Sequence, residues 1–177
     1  MAARLLFAFL FASIPCLAWS QDQSVIDTAL TRAVNTFEAA LPSLQPTQIG
    51  VDVGAFRDAL TLGQFASAFW GGTVRVKVSA RAEATGSCSR FAAFVRTPPE
   101  NGTIGLVLCP QFFAEGADAL RELTLLHEMV HVVAGPDECR AMAFAAHVQV
   151  AATGTFTPVD RYWSANGCEG SQFSLPG

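Results

Sequence analysis

The chain has 177 residues, a one-domain length, with 11 Lys and Arg against 15 Asp and Glu and a formal net charge of −4. A small acidic excess gives no basic footprint, which argues against nucleic acid as a partner.

The N-terminus has the layout of an export signal. Arg4 gives a positive start, Leu5 to Ile14 is apolar, and Ala18-Trp19-Ser20 is a small-x-small cleavage site before polar Gln21-Asp22-Gln23. The apolar run is too short to span a bilayer comfortably. The expectation is a signal peptide over 1–20 and one domain over 21–177. Cleavage removes Arg4 and no acid, so the net charge becomes −5. About 157 residues remain, enough for one core. The mature protein is expected to be secreted or periplasmic, monomeric and without stable membrane association.

Residues 22–41 read as a helix, with Val25, Ile26, Ala29, Leu30, Ala33, Phe37 and Leu41 at helical spacing and Pro42 as its stop. Residues 42–53 read as loop, and 54–69 as a second helix ended by Gly71-Gly72. Thr73 to Ala80 alternates, with Val74, Val76 and Val78 on one face, and predicts a half-exposed strand. Phe91 to Arg96 and Thr103 to Leu108 flank a Pro/Asn-Gly turn and predict a hairpin.

Four cysteines remain after Cys16 leaves with the signal, an even number suited to an oxidising compartment. They allow three pairings. Cys88 and Cys109 are equidistant from Pro98-Pro99, so an antiparallel hairpin brings them together at its open end. A four-cysteine zinc site is disfavoured because no C-x-x-C pair is present.

Residues 118–134 are again helical, with Leu120, Leu123, His127, His131 and Ala134 along one stripe and Gly135-Pro136 as the stop. Asp137 and Glu138 open a further helix carrying Ala141, Phe144, Ala145 and Val148, which fades near Gly154. Residues 155–177 show little periodicity.

His127-Glu128-Met129-Val130-His131 carries the chemistry. Histidines four apart on a helix project from one face and can meet one metal ion, expected to be zinc. Glu128, beside the first ligand, is placed to take the proton of a metal-activated water. A hydrolytic zinc site takes three protein ligands and a water. The nearest sources of the third are Asp137 and Glu138, which also suit a helix N-terminus as dipole partners. His147, on the next helix among apolar residues, reads as a packed histidine.

Cys88-Ser89-Arg90-Phe91-Ala92-Ala93-Phe94, Gly105-Leu106-Val107-Leu108-Cys109-Pro110-Gln111-Phe112-Phe113, Leu125-Leu126-His127-Glu128-Met129-Val130-His131 and Ala134-Gly135-Pro136-Asp137-Glu138 occur in an order that resembles the aspzincins, the deuterolysin and peptidyl-Lys metalloendopeptidase family. The resemblance covers about residues 85–165. It implies an α+β, zincin-like single domain, with helices packed on a small, mostly antiparallel sheet. It also implies a zinc metalloendopeptidase acting on peptide or protein substrates, with Glu128 as general base. The family motif is G-T-x-D-x-x-Y-G. Aligned at Gly135, its threonine falls at Pro136, its ligand aspartate at Glu138 and its tyrosine at Ala141. Glu138 is therefore the third ligand implied, with Asp137 as alternate. Tyr162, the chain's one tyrosine, stands in Asp160-Arg161-Tyr162-Trp163, similar to a late Asp-x-Tyr segment of the family, and is the candidate replacement donor. The same alignment puts Cys139 directly after Glu138; pairing it with Cys168 would pin the tail across the metal site. The departures leave two alternatives open: a weakly active or inactive zinc-binding protein, and a zinc amidase acting on cell-wall peptide.

Overall fold

The structure, a computed structural model, describes residues 16–177, with side chains from Asp22 onward. The expected signal segment lies outside the described residues apart from the backbone of 16–20.

Helix α1, Cys16–Ala40, ends in a 3-10 turn over Leu41–Ser43 that contains Pro42. Its stripe of Ile26, Ala29, Ala33, Phe37 and Ala40 is buried. The segment expected to be loop holds two short antiparallel strands, β1 (Thr47–Gln48) and β2 (Val51–Asp52). They are joined by Ile49 and Gly50, both at positive φ, the backbone that a two-residue hairpin needs. Asp52 then caps α2, Val53–Leu60, accepting from the Ala55 N–H at 2.9 Å.

The expected second helix over 54–69 is corrected. It stops at Leu60, and Leu62 at φ 59° turns the chain. Gln64–Ala66 becomes strand β3, with Phe65 buried and its two neighbours exposed. That period of two suits a sheet, not a helix.

Strand β4 (Thr73–Ala80) lies between β3 and β6 (Thr103–Leu108), and β5 (Ala93–Glu100) closes the order β3-β4-β6-β5. The β4–β6 pairing is parallel and the other two are antiparallel. The hairpin forms as expected, but β5 runs on through Pro98 and Pro99. Prolines are tolerated there because β5 is an edge strand and its register shifts between Arg96 and Glu100. Asn101 and Gly102, both at positive φ, make the turn. At its open end Cys88 and Cys109 form a disulfide.

Helices α3 (Asp118–Ala134) and α4 (Glu138–Thr153) match the periodicity. Helix α1 packs on both, and α3 also packs against β5. Phe56 of α2 stacks between Phe37 and Phe144, with ring centroids 5.0 and 4.7 Å away, and ties α1, α2 and α4 into one core. Buried Arg121 of α3 donates to the Phe112 carbonyl at 2.6 Å and to that of Ala114, anchoring the 3-10 turn Pro110–Phe113 that follows the sheet. The tail contains a short helix, α5 (Asp160–Ala165), which its lack of periodicity did not predict. Trp163 is buried, and Cys168 is bonded to Cys139. The architecture is α+β in a single domain.

The Cys139–Cys168 bond closes a loop of 29 residues. Replacing both cysteines by serine should lower the unfolding free energy by about 3–4 kcal/mol. Urea titration of the two proteins checks this, and an unchanged midpoint with an unchanged slope contradicts it.

Candidate metal centre

Helix α3 sets the first two donors. His127 and His131 are one turn apart on its inward face, 4% and 5% exposed, and their Nε2 atoms stand 3.0 Å apart. The helix must then stop at once. Gly135 caps it at φ 86°, and a Cβ there would lie 2.2 Å from the Phe69 ring. Phe69 stacks edge-on against Trp70, whose Nε1–H donates to the Val132 carbonyl at 2.8 Å. This clamp holds the end of α3 and with it the Gly135 carbonyl, 3.0 Å from His131 Nδ1. A carbonyl only accepts, so Nδ1 carries a proton; Nε2 faces Glu138, as a donor when the ring is protonated and as a lone pair when it is neutral.

Pro136 and Asp137 then start α4. The Asp137 carboxylate caps that helix, accepting from the Arg140 N–H at 2.9 Å. The alternate ligand is thus held as a cap. Glu138, the first residue of α4, turns back so that Oε2 lies 3.1 Å from His127 Nε2 and 3.4 Å from His131 Nε2. The Tyr162 hydroxyl donates to the same oxygen at 2.6 Å. Its ring meets His127 edge-on, with centroids 5.6 Å apart. His147 stands apart, half-buried beside Arg140 and Phe173.

The electrostatics follow from this crowding. Burial raises the Glu128 carboxyl above its usual range, more than the two histidines lower it. Burial also acts to raise Glu138, but hydrogen bonds from His127, His131 and Tyr162 outweigh it and hold the carboxyl well below the carboxylate range. Burial alone would lower His131; the Glu138 hydrogen bond, the Glu128 charge and the Gly135 carbonyl reverse that, and its net shift is upward. Burial and the Glu138 carboxylate together push the Tyr162 hydroxyl far above its normal value.

The donor set fits a divalent cation. Three ligand atoms lie within 4.8 Å of one another on His127, His131 and Glu138. Four-coordinate zinc with bonds of about 2.0–2.1 Å keeps its ligands about 3.3 Å apart, and the separations here are 3.0, 3.1 and 3.4 Å. His127 Nδ1 is buried and has no partner among the described residues. With Nε2 as ligand, Nδ1 is the nitrogen that bears the proton.

A cleft of about 700 Å³ opens beside these groups. His127, Glu128 and Tyr162 line it together with Leu120, Leu123, Thr124, Met142 and Val159. Of these wall residues only Leu120 and Leu123 were visible in the sequence, on the His127 stripe. Thr124 is one turn before His127 and could have been placed by the same spacing. Phe69 and Trp70 left no sequence signal of their role.

Comparison with known proteins gave no match: no family model, no curated protein and no solved structure is significantly similar to the chain.

Glu138→Ala should weaken metal affinity at least about 10- to 100-fold. Asp137→Ala should keep the metal but cost about 1 kcal/mol through loss of the α4 cap. Metal content after dialysis and the melting temperature separate the two, and equal metal retention in both variants contradicts the assignment of Glu138.

Proposed function

We propose that this chain is a secreted zinc metalloendopeptidase of the zincin type, similar to the aspzincins. The observation that carries the reading is the convergence of two imidazoles and a carboxylate on one point beside a second buried carboxylate and a tyrosine hydroxyl. His127, His131 and Glu138 would hold the ion. Zinc there supplies Lewis acidity toward a scissile carbonyl and a water of lowered pKa. Glu128 takes a proton from water on its carboxylate and returns it to the leaving amine. Buried at the cleft beside the metal donors, that carboxylate is placed to hold the proton between the two transfers. Tyr162 replaces the donor that the family carries at the position of Ala141. Its O–H, now on Glu138, turns to the carbonyl oxygen as negative charge develops there. The cleft receives the peptide. Two disulfides, and no described helix long and apolar enough to cross a membrane, agree with an exported protein.

The test is casein hydrolysis by the protein purified from Gln21. Activity should require zinc, stop with a chelator, and fall about 10²- to 10⁴-fold in Glu128→Ala. Cleavage that survives either treatment sinks the mechanism. Tyr162→Phe should lower kcat about 10²-fold or more with zinc content unchanged. An unchanged kcat removes Tyr162 from the chemistry. The absent family tyrosine at Ala141 favours a second, non-catalytic reading, which predicts one bound zinc with no cleavage of casein or of cell-wall peptide.

A further inference from the structure

The face of α4 turned away from the metal centre carries a separate set of polar groups. Arg140 and His147 are seven residues apart, about two turns, so they share one face of the helix. Glu138 at the centre and Met142 in its cleft are each two residues from Arg140, about 200° around the helix from it. A cavity of about 430 Å³ is lined by Arg140 and His147 together with Gly50 of the β1–β2 turn and Gln172, Phe173 and Ser174 of the tail.

The Arg140 guanidinium is short of partners. It carries five N–H donors, and its acceptor among the described residues is the Ala134 carbonyl, 2.8 Å from Nη1. Its Nε is buried with no partner among the described residues. A Cβ on Gly50, at φ 73°, would lie 3.5 Å from that nitrogen, so the turn closes over Nε and leaves the Nη groups to the cavity. The guanidinium carbon stands 5.5 Å from the Phe173 ring centroid, a contact that uses none of its donors. No ion pair of the described residues includes Arg140. The nearby acids are committed elsewhere. Asp137 caps α4 through the Arg140 N–H, and Asp52 caps α2 through the Ala55 N–H. Asp52 lines a neighbouring cavity of about 240 Å³ that shares Gly50 and Arg140; the lining of the larger one contains no acid.

We propose that the larger cavity binds a small organic anion by its phosphate or carboxylate group, with Arg140 as counter-charge and His147, Gln172 and Ser174 as further donors. This does not depend on the peptidase reading. A partly buried charge gains from a fixed counter-charge, and the planar guanidinium matches two oxygens of either group. Imidazole, amide and hydroxyl each offer a hydrogen, and no carboxylate of the lining competes for them.

The chain has three histidines, and the other two are the metal donors, so the His147 ring signals report on this cavity alone. The zinc-loaded protein is titrated with phenyl phosphate, benzoate, neutral benzyl alcohol and chloride, followed by NMR of the His147 ring and the Ser174 amide. One or both oxyanions should give saturable shifts, and benzyl alcohol and chloride none. Gln172→Glu adds a carboxylate at an exposed position of the lining, where folding is insensitive to it, and should weaken the affinity about tenfold or more. Arg140→Gln should do the same; it also loses the bond to Ala134, so where it fails to fold Gln172→Glu decides. Three results overturn the proposal: equal shifts with benzyl alcohol or chloride, an affinity unchanged in Gln172→Glu, or oxyanions that leave His147 still, whether or not they move the His127 and His131 signals at the zinc.

Discussion

Two imidazole nitrogens 3.0 Å apart, on a helix face almost closed to water, set the terms for everything around them. Neither ring has solvent to hydrate it, so each needs a fixed partner. His131 finds one in the Gly135 carbonyl and the other in Glu138. Both come from the reversal that follows α3. The helix must end within a turn of His131, in a conformation that only glycine takes without cost, and the next helix must begin three residues later. Phe69 occupies the space above Gly135 that any side chain would need. The loop that carries Phe69 and Trp70 is therefore part of the centre, although neither residue touches a ligand atom.

The same demand explains the covalent arrangement. Cys139 is adjacent to Glu138 and is bonded to Cys168, beyond α5. Buried Val159 and Trp163, and the Thr157 N–H donating to Gln149 Oε1, hold the segment carrying Tyr162, and the disulfide adds a covalent tie. The hydroxyl donates to Glu138 while its ring meets the His127 ring edge-on, and the disulfide ties the same segment to the residue after Glu138. A chain segment with little regular structure is thus made to present one polar group at a defined point.

How far this could be read from the sequence depended on whether the information was local. The spacing of His127 and His131, the stripe of α3 and the Asn101-Gly102 turn are short-range patterns, and the structure follows them. The Cys88–Cys109 pairing is present, but not through equidistance: the turn is at Asn101-Gly102, not Pro98-Pro99, and Cys88 reaches Cys109 from the 3-10 turn Gly86–Ser89. The β4–β6 pairing was not legible, because a parallel neighbour 28 residues away leaves no mark on the alternation of Val74, Val76 and Val78. Residues 54–69 misled for a related reason. Their composition allows a helix, and only Leu62 at positive φ with the pairing of Phe65 to Val74 ends it at Leu60. The cleft is assembled from α3, α4, the segment before β5 and the start of α5, so its apolar character emerges only when those pieces are brought together.

The two acids after the turn show why a glutamate stands at the candidate ligand position. Helix α4 begins beside the centre, and its first N–H groups need an acceptor. Asp137 supplies it, and a short carboxylate is the right length for a cap on its own helix. It is not among the groups that converge on His127 and His131. The carboxylate that faces the imidazoles then comes from the next residue, already inside the first turn of α4. Glutamate spans that gap, with Oε2 at 3.1 and 3.4 Å from the two imidazoles. An aspartate at 138 would be one methylene shorter, about 1.5 Å, and would leave both nitrogens without their counter-charge unless α4 moved. Any such movement would break the Asp137 cap, the disulfide at Cys139 or the packing of Phe144 on Phe56. The cap and the ligand are separate duties in this turn, and the lengths of the two acidic side chains divide them.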